Sequence, residues 1–124
     1  MRLTTASARI FQMHGVTFHS IARTDTGATQ LAAWQAEFSP HTPGVAHRMS
    51  HEEIFRVLDG QLSVEVDGVQ ASLSAGDCII VAPGAQFRVS NDTSHQAAAW
   101  VVTAVGMTAS LSDEADPIAP PWAQ

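Results

Sequence analysis

The sequence predicts an all-β domain, a sandwich or barrel, on three observations. Short apolar or alternating runs recur about every eight to twelve positions with turn residues between them, the spacing of strands in such folds. Two Asp-Gly pairs, Asp59-Gly60 and Asp67-Gly68, stand between such runs and signal hairpins. Helical periodicity is scarce along the whole chain.

Residues 13–22 read as a first strand and 23–29 as a loop. Residues 30–38 read as a second strand with Trp34, Ala36 and Phe38 on one face. Residues 39–44, Ser-Pro-His-Thr-Pro-Gly, form a turn-rich connection. A short strand is expected at 45–49 and a central one at 53–58, ended by Asp59-Gly60. Residues 61–66 alternate, with Leu62, Val64 and Val66 against Ser63 and Glu65. After Asp67-Gly68 comes a strand at 69–73, then the turn Ser74-Ala75-Gly76-Asp77. Residues 78–81 read as a buried run, with Cys78 as a small hydrophobe, ended by Pro83-Gly84. Residues 86–90 and 96–105 complete the set, separated by a turn at 91–94 that places His95 near a loop. The segment from 111 onward holds Pro117, Pro120 and Pro121 and is excluded from any central strand. It is expected to lie extended over the body, anchored by Trp122.

A chain of 124 residues is the length of one domain and buries enough surface for one core. The formal net charge of -6, with all six cationic residues scattered arginines, disfavours nucleic acid and anionic membrane surfaces. The acidic cluster Asp113, Glu114 and Asp116 reads as a solvated tail. The single cysteine excludes an internal disulfide and a cysteine-cluster metal site, and is compatible with a reducing compartment. No charged-then-apolar leader is visible in residues 1–8, and the apolar run 97–109 is too short to span a bilayer. A cytoplasmic protein is the expectation.

Two separated motifs then point to a family. The first holds His47, Met49, Glu53 and Gly60; the second holds Gly76-Asp77, Pro83-Gly84, Phe87 and Asn91. The chain resembles single-domain members of the cupin superfamily over roughly residues 30–105. The resemblance implies an antiparallel double-stranded β-helix, a jelly-roll barrel. It implies a single domain over 1–124, with the barrel core at about 30–105, an N-terminal strand arm at 9–23 and an extended C-terminal tail at 111–124. It also implies a homodimer, in which Val16 and Phe18 bury against a partner and the first strand finds an edge to join.

In metal-binding cupins three His and one Glu hold a divalent ion inside the barrel. This chain keeps His47 and Glu53, with Met49 in place of the second His and Phe87 in place of the third. A thioether is a soft ligand and a phenyl ring is none, so the donor set no longer suits Mn²⁺ or Fe²⁺. Losing half of a four-ligand site worth ~10–16 kcal/mol removes roughly 5–8 kcal/mol. No tightly held metal is expected at the usual place. His51, four residues after His47, keeps an alternative open: His47, His51 and Glu53 as a two-His-one-carboxylate set for Fe, Mn, Zn or Ni. The other reading of His51 is an exposed turn residue.

If Met49 and Phe87 face the interior they line an apolar pocket, together with Phe55, Trp34 and Trp100. An apolar cavity with few polar groups is the usual form of a small-molecule site. There His47 and Glu53 are expected as an acid–base pair, Glu53 raised in pKa by desolvation and His47 countering the rise. For Trp34 and Trp100 core packing is the competing reading. His14, His19 and His41 read as exposed, and Arg56 and Arg88 as outward-facing or partner-facing. Three functions follow: a small-molecule binder, isomerase or cyclase-like enzyme without tight metal; a metal-dependent dioxygenase, isomerase or lyase; and a non-catalytic structural or regulatory barrel. Fold alone does not choose among them.

Overall fold

In the computed structural model, which describes residues 1–124, the chain forms two antiparallel sheets. The first is six-stranded, in the order β1 (Arg9–Met13), β2 (Val16–Ala22), β3 (Leu31–Phe38), β10 (Ala97–Ala104), β5 (Glu53–Asp59) and β8 (Cys78–Val81). The second is five-stranded, in the order β11 (Ala109–Ser110), β4 (His47–Met49), β9 (Gln86–Ser90), β6 (Gln61–Val66) and β7 (Val69–Ser74). Strands close in sequence alternate between the sheets, as in a jelly roll. The connections are short, and the remaining regular structure is three single 3₁₀ turns.

The core follows from strand parity. Side chains alternate faces along a strand, and β5 and β10 show that alternation residue by residue. Phe55 and Val57 of β5, Trp34 and Phe38 of β3, and Val101 of β10 point inward. They meet Met49, Leu62, Val64 and Phe87 from the facing sheet. Removing each such side chain from water contributes about 1.5–3 kcal/mol.

Asp67-Gly68 forms the hairpin its sequence predicts, β6–β7, but Asp59-Gly60 does not: it carries the chain from β5 in the six-stranded sheet to β6 in the five-stranded one, and the two strands do not pair. Asp67 (φ 48°) and Gly68 (φ 83°) both take the left-handed conformation a two-residue hairpin needs. Asp67 also bridges sheet neighbours: its Oδ1 accepts from the Gln86 amide at 2.9 Å.

The first expected strand, 13–22, is two strands. His14 (φ 52°) and Gly15 (φ 81°) form a second left-handed pair, turning the chain between Met13 and Val16. His in the left-handed region is uncommon, so the pair carries no obvious hairpin signal. The new strand β1 then fills the edge beside β2.

Asn91 pins one end of the barrel. It is fully buried, and its Nδ2 donates to Phe38 O (3.1 Å) and His95 O (2.8 Å). Its Oδ1 accepts from the amide and hydroxyl of Thr93 (3.0 and 2.8 Å). The side chain thus joins the end of β3 to the β9–β10 turn.

The C-terminal segment lies against the body through Trp122, as its prolines and tryptophan predict. The indole stacks on Phe18 with centroids 3.7 Å apart and planes 7° apart. Ser20 Oγ donates to Trp122 O at 3.0 Å, and Ala123 is fully buried. Val16 and Phe18, both half-buried, pack against the chain's own core, with Phe18 covered by the tail. The expectation for Cys78 is corrected: it is exposed on the outer face of β8, the edge strand of the six-stranded sheet.

Candidate functional site

Of the motif residues, His47, Met49 and Phe87 are brought together by the pairing of β4 with β9. β4 carries His47 and Met49 with the same parity, and β9 sets Phe87 directly opposite His47 in the ladder. Met49 (2% exposed) and Phe87 (1%) are buried in the core. The His47 imidazole meets the Phe87 ring at 5.8 Å, and Phe87 meets Phe55 edge-on at 5.9 Å. Phe55 in turn meets Phe38 at 6.2 Å. This chain of rings fills the space that the resemblance assigns to a metal and its ligands. Trp34 is buried in the same core.

Glu53 begins β5 on the inward face, between Val81 of β8 and Thr103 of β10. It is 5% exposed, and its side chain makes no hydrogen bond or ion pair. Burial pushes its carboxyl from 4.5 up to about 8, and desolvation is the sole cause. At neutral pH the group is a neutral acid, able to donate one hydrogen bond and to accept others. The adjacent Thr103 hydroxyl is committed elsewhere, donating to Glu52 O at 2.7 Å.

The counterbalance expected from His47 is not made. The imidazole is half-buried, and its Nδ1 bonds Val45 O at 2.9 Å. The only imidazole–carboxylate pair in the chain lies elsewhere: His19 Nε2 and Glu37 Oε1, 3.3 Å apart on the outside of the six-stranded sheet. His19 is half-buried, its Nε2 close to Glu37 but making no hydrogen bond, whereas His14, His41 and His95 are exposed.

The alternative metal set is not assembled. His51 lies exposed in the turn after β4, its Nδ1 bonded to Ser50 Oγ at 2.7 Å. No group of three or more His, Cys, Asp or Glu side chains comes together to hold an ion. The usual position offers one imidazole, one neutral carboxyl, a thioether and a phenyl ring. That donor set does not fit a divalent ion.

Trp100 is a further correction. β10 buries Ala97, Ala99, Val101 and Thr103, so Trp100 points to the outer face, beside Gln35 and Arg56. Arg56 is exposed as expected, and Arg88 pairs with Glu65 at 3.3 Å.

One feature was not readable from sequence. A cleft of about 200 Å³ runs from His47 and Arg48 to Gln86, roofed by Leu111, Ser112 and Asp113 of the C-terminal segment. Arg48 Nη1 donates to Gly84 O at 2.7 Å, and its Nε lies 3.4 Å from Asp113 Oδ1. The tail had signalled only solvation and prolines, and nothing local in it names Arg48 as its neighbour.

Comparison with known proteins agrees with this architecture. A family model described as a cupin domain matches residues 34–104. No curated protein sequence matches the chain. Among solved structures, a sugar phosphate isomerase of the cupin superfamily from Silicibacter pomeroyi superimposes with a TM-score of 0.72 at 19% identity, over 91% of this chain and 82% of that one. The polyketide cyclase RemF from Streptomyces resistomycificus gives 0.71 at 19%, over 84% and 78%. A salicylate 1,2-dioxygenase from Pseudoaminobacter salicylatoxidans gives 0.69 at 15%, over 81% of this chain and 30% of the longer enzyme. At these identities the likeness speaks to the fold, which supports several unrelated reactions. The family match over more than half of the sequence goes further: this chain belongs to the cupin family.

Proposed function

We propose that this protein is a small cupin that binds a small, partly apolar molecule at the barrel mouth, with Glu53 and His47 as its polar groups and without a tightly held metal at the usual place. The observation that carries this reading is Glu53. A carboxyl placed in an apolar wall with no partner costs stability rather than adding to it. Such a group suits a ligand that accepts a hydrogen bond, a carbonyl or hydroxyl oxygen, or one that takes a proton. His47, half-exposed on the other side of Phe87, is the second polar contact. Met49, Phe55 and Phe87 supply the apolar wall, and the cleft lined by His47 and Arg48, which Glu53 itself does not line, is the route from solvent that the proposal assigns. If the reaction is catalytic, Glu53 begins as the acid, which fits an isomerase or cyclase-like proton transfer.

The absence of a tight metal rests on the Met49 and Phe87 replacements, since imidazole and carboxylate donors are what a divalent ion requires. The filled interior favours a second reading, a barrel that supports a regulatory contact without catalysis. A cytoplasmic location is part of the proposal; the structural finding behind it is that no helix is long and apolar enough to cross a membrane.

The experiment is a thermal-shift and calorimetric screen of small carbonyl and hydroxy compounds against wild type, Glu53→Gln and His47→Ala. The proposal expects binders whose affinity falls about tenfold or more in both variants, the loss of one good hydrogen bond each. Binders indifferent to both substitutions would sink the proposal.

A further inference from the structure

The cleft beside His47 holds a cation whose bonding is incomplete. Arg48 and Gln86 stand opposite each other in the β4–β9 ladder, so their side chains leave the same face of the sheet. Arg48 Nη1 is held by Gly84 O at 2.7 Å. Its Nε meets Asp113 Oδ1 at 3.4 Å, well beyond the about 2.7–2.9 Å of a charge-assisted hydrogen bond. The Asp113 side chain is 85% exposed and that of Arg48 40%, and an exposed ion pair of this kind holds weakly. The C-terminal segment thus lays a carboxylate against Arg48 without closing a strong contact. The Nε–Nη2 edge of a guanidinium is a planar fork, which a carboxylate from solvent can meet with two parallel bonds.

His47 brings an acceptor to the same cleft. Its Nδ1 lies 2.9 Å from Val45 O, which can only accept, so in the neutral imidazole Nδ1 carries the proton and Nε2 is left to accept. Among the lining residues Leu111 alone is apolar, and the volume of about 200 Å³ falls below the about 300–1,000 Å³ of drug-sized sites. The occupant that fits is small and polar. We infer that the cleft binds a small 2-hydroxy carboxylate: the carboxylate takes the place of Asp113 on the Nε–Nη2 edge of Arg48, and the hydroxyl donates to His47 Nε2. The inference rests on the reading above for one point, His47 as a ligand contact, and names the anionic end of that ligand.

Other occupants fit less well. Phosphate sites gather several backbone amides or cations, and Arg48 is the one arginine that lines this cleft. An uncharged ligand has nothing to offer Arg48 in exchange for Asp113. Asp113 then acts as a built-in competitor: it neutralises the guanidinium while the cleft is free, and it weakens ligand binding by the fraction of time it spends there. Gln86, directly across the ladder, adds an amide donor for the same carboxylate.

The test is an NMR titration at constant ionic strength, following the backbone amides and the Arg48 Nε–H, with lactate, propionate, lactamide and inorganic phosphate as probes. Lactate is expected to shift the Arg48 Nε–H. It should bind about tenfold more tightly than propionate, which lacks the hydroxyl, or lactamide, which lacks the charge. Arg48→Gln should weaken lactate about tenfold or more. Gln86→Glu should do the same, since it keeps the bond from Arg48 to Gly84 and sets a second competing carboxylate beside it; circular dichroism confirms that both are folded. Asp113→Asn should tighten lactate roughly two- to sixfold with the melting temperature unchanged, the gain from removing a competitor of exposed-ion-pair strength. His47→Ala should erase the preference for lactate over propionate. Asp113→Asn that fails to bind lactate overturns the inference, as does binding indifferent to both Arg48→Gln and Gln86→Glu. Phosphate or lactamide bound as tightly as lactate also overturns it. Glu53→Gln separates this inference from the reading it rests on. Carbonyl compounds bound through Glu53 and His47, with lactate ignored, leave that reading standing and sink this one. Lactate bound through Arg48 and His47, with Glu53→Gln indifferent for every probe, upholds the cleft site and counts against the role given to Glu53.

Discussion

Replacing Glu53 with Gln isolates the effect of a buried ionisable group, because the amide keeps the shape and cannot charge. The folded carboxyl titrates at about 8, against 4.5 for the ordinary group. A folded pKa raised above the unfolded one means that the native state holds its proton more tightly. The stabilising effect is complete below the unfolded pKa and is lost as pH rises from there through the folded value. Between pH 5 and pH 7 the unfolded chain ionises while native Glu53 stays protonated, which removes about 2–3 kcal/mol of stability. By pH 9 the loss approaches roughly 5 kcal/mol. Glu53→Gln has no such term. Its stability relative to wild type should therefore rise by about 1 kcal/mol for each pH unit between 5 and 8. Urea unfolding of both proteins at pH 5, 6, 7 and 8 reads the difference directly, since other titrating groups act on both alike. A difference that stays constant across that range would falsify the buried neutral acid, and with it the role proposed for Glu53.

Asn91→Ala removes four hydrogen bonds and leaves Phe38 O and His95 O without their partner, so unfolding free energy should fall by about 3 kcal/mol in denaturant titration. Trp122→Ala strips the stacked cover from Phe18 and should cost about 3 kcal/mol, read as a lower melting temperature. Gly44→Ala combines a left-handed backbone (φ 73°) with a methyl group driven into Val89 O, and should abolish soluble expression or lower stability by several kcal/mol. Met49→His combined with Phe87→His restores the imidazoles that the family's metal sites use, beside Glu53 and His47. Calorimetry with Ni²⁺ should show stoichiometric binding in the double variant and none of comparable strength in wild type.

What the sequence revealed and what it concealed divide along a physical line. Asp67-Gly68 was legible as a hairpin because Gly, preceded by Asp, accepts left-handed backbone at little cost, whereas Asp59-Gly60 carries the same local signal and joins two sheets. His14-Gly15 makes the same kind of turn without the usual residue at its first position, so two strands read as one. Leu62, Val64 and Val66 declared their face because Ser63 and Glu65 alternate with them. The run Ala97 to Ala104 offers no such contrast. Every position is apolar except Thr103, so its periodicity could not say that Trp100 points outward. Cys78 was hidden in the same way beside Ile79 and Ile80. Phe18 needed a cover, and the cover came from Trp122, far along the chain, where no local pattern connects the two. At the site, His47, Met49, Glu53 and Phe87 were named from motif spacing. The hydrogen bond that turns His47 toward Val45, and the ring contacts that fill the interior, depend on tertiary packing.

The position of β10 bears on how the molecule comes into being. It lies between β3 and β5, strands formed from sequence far ahead of it. Until Ala97–Ala104 docks, β3 and β5 share no neighbour, and the sheet exists as two fragments with open apolar edges. Non-local pairings of this kind make folding slow, on a scale of milliseconds to seconds. The fragments expose unpaired backbone and Ala- and Val-rich surface throughout that interval, which is a template for association with other chains. Mutations that weaken β10 should thus appear first as lost soluble yield during synthesis, before any change in the behaviour of the molecules that do mature.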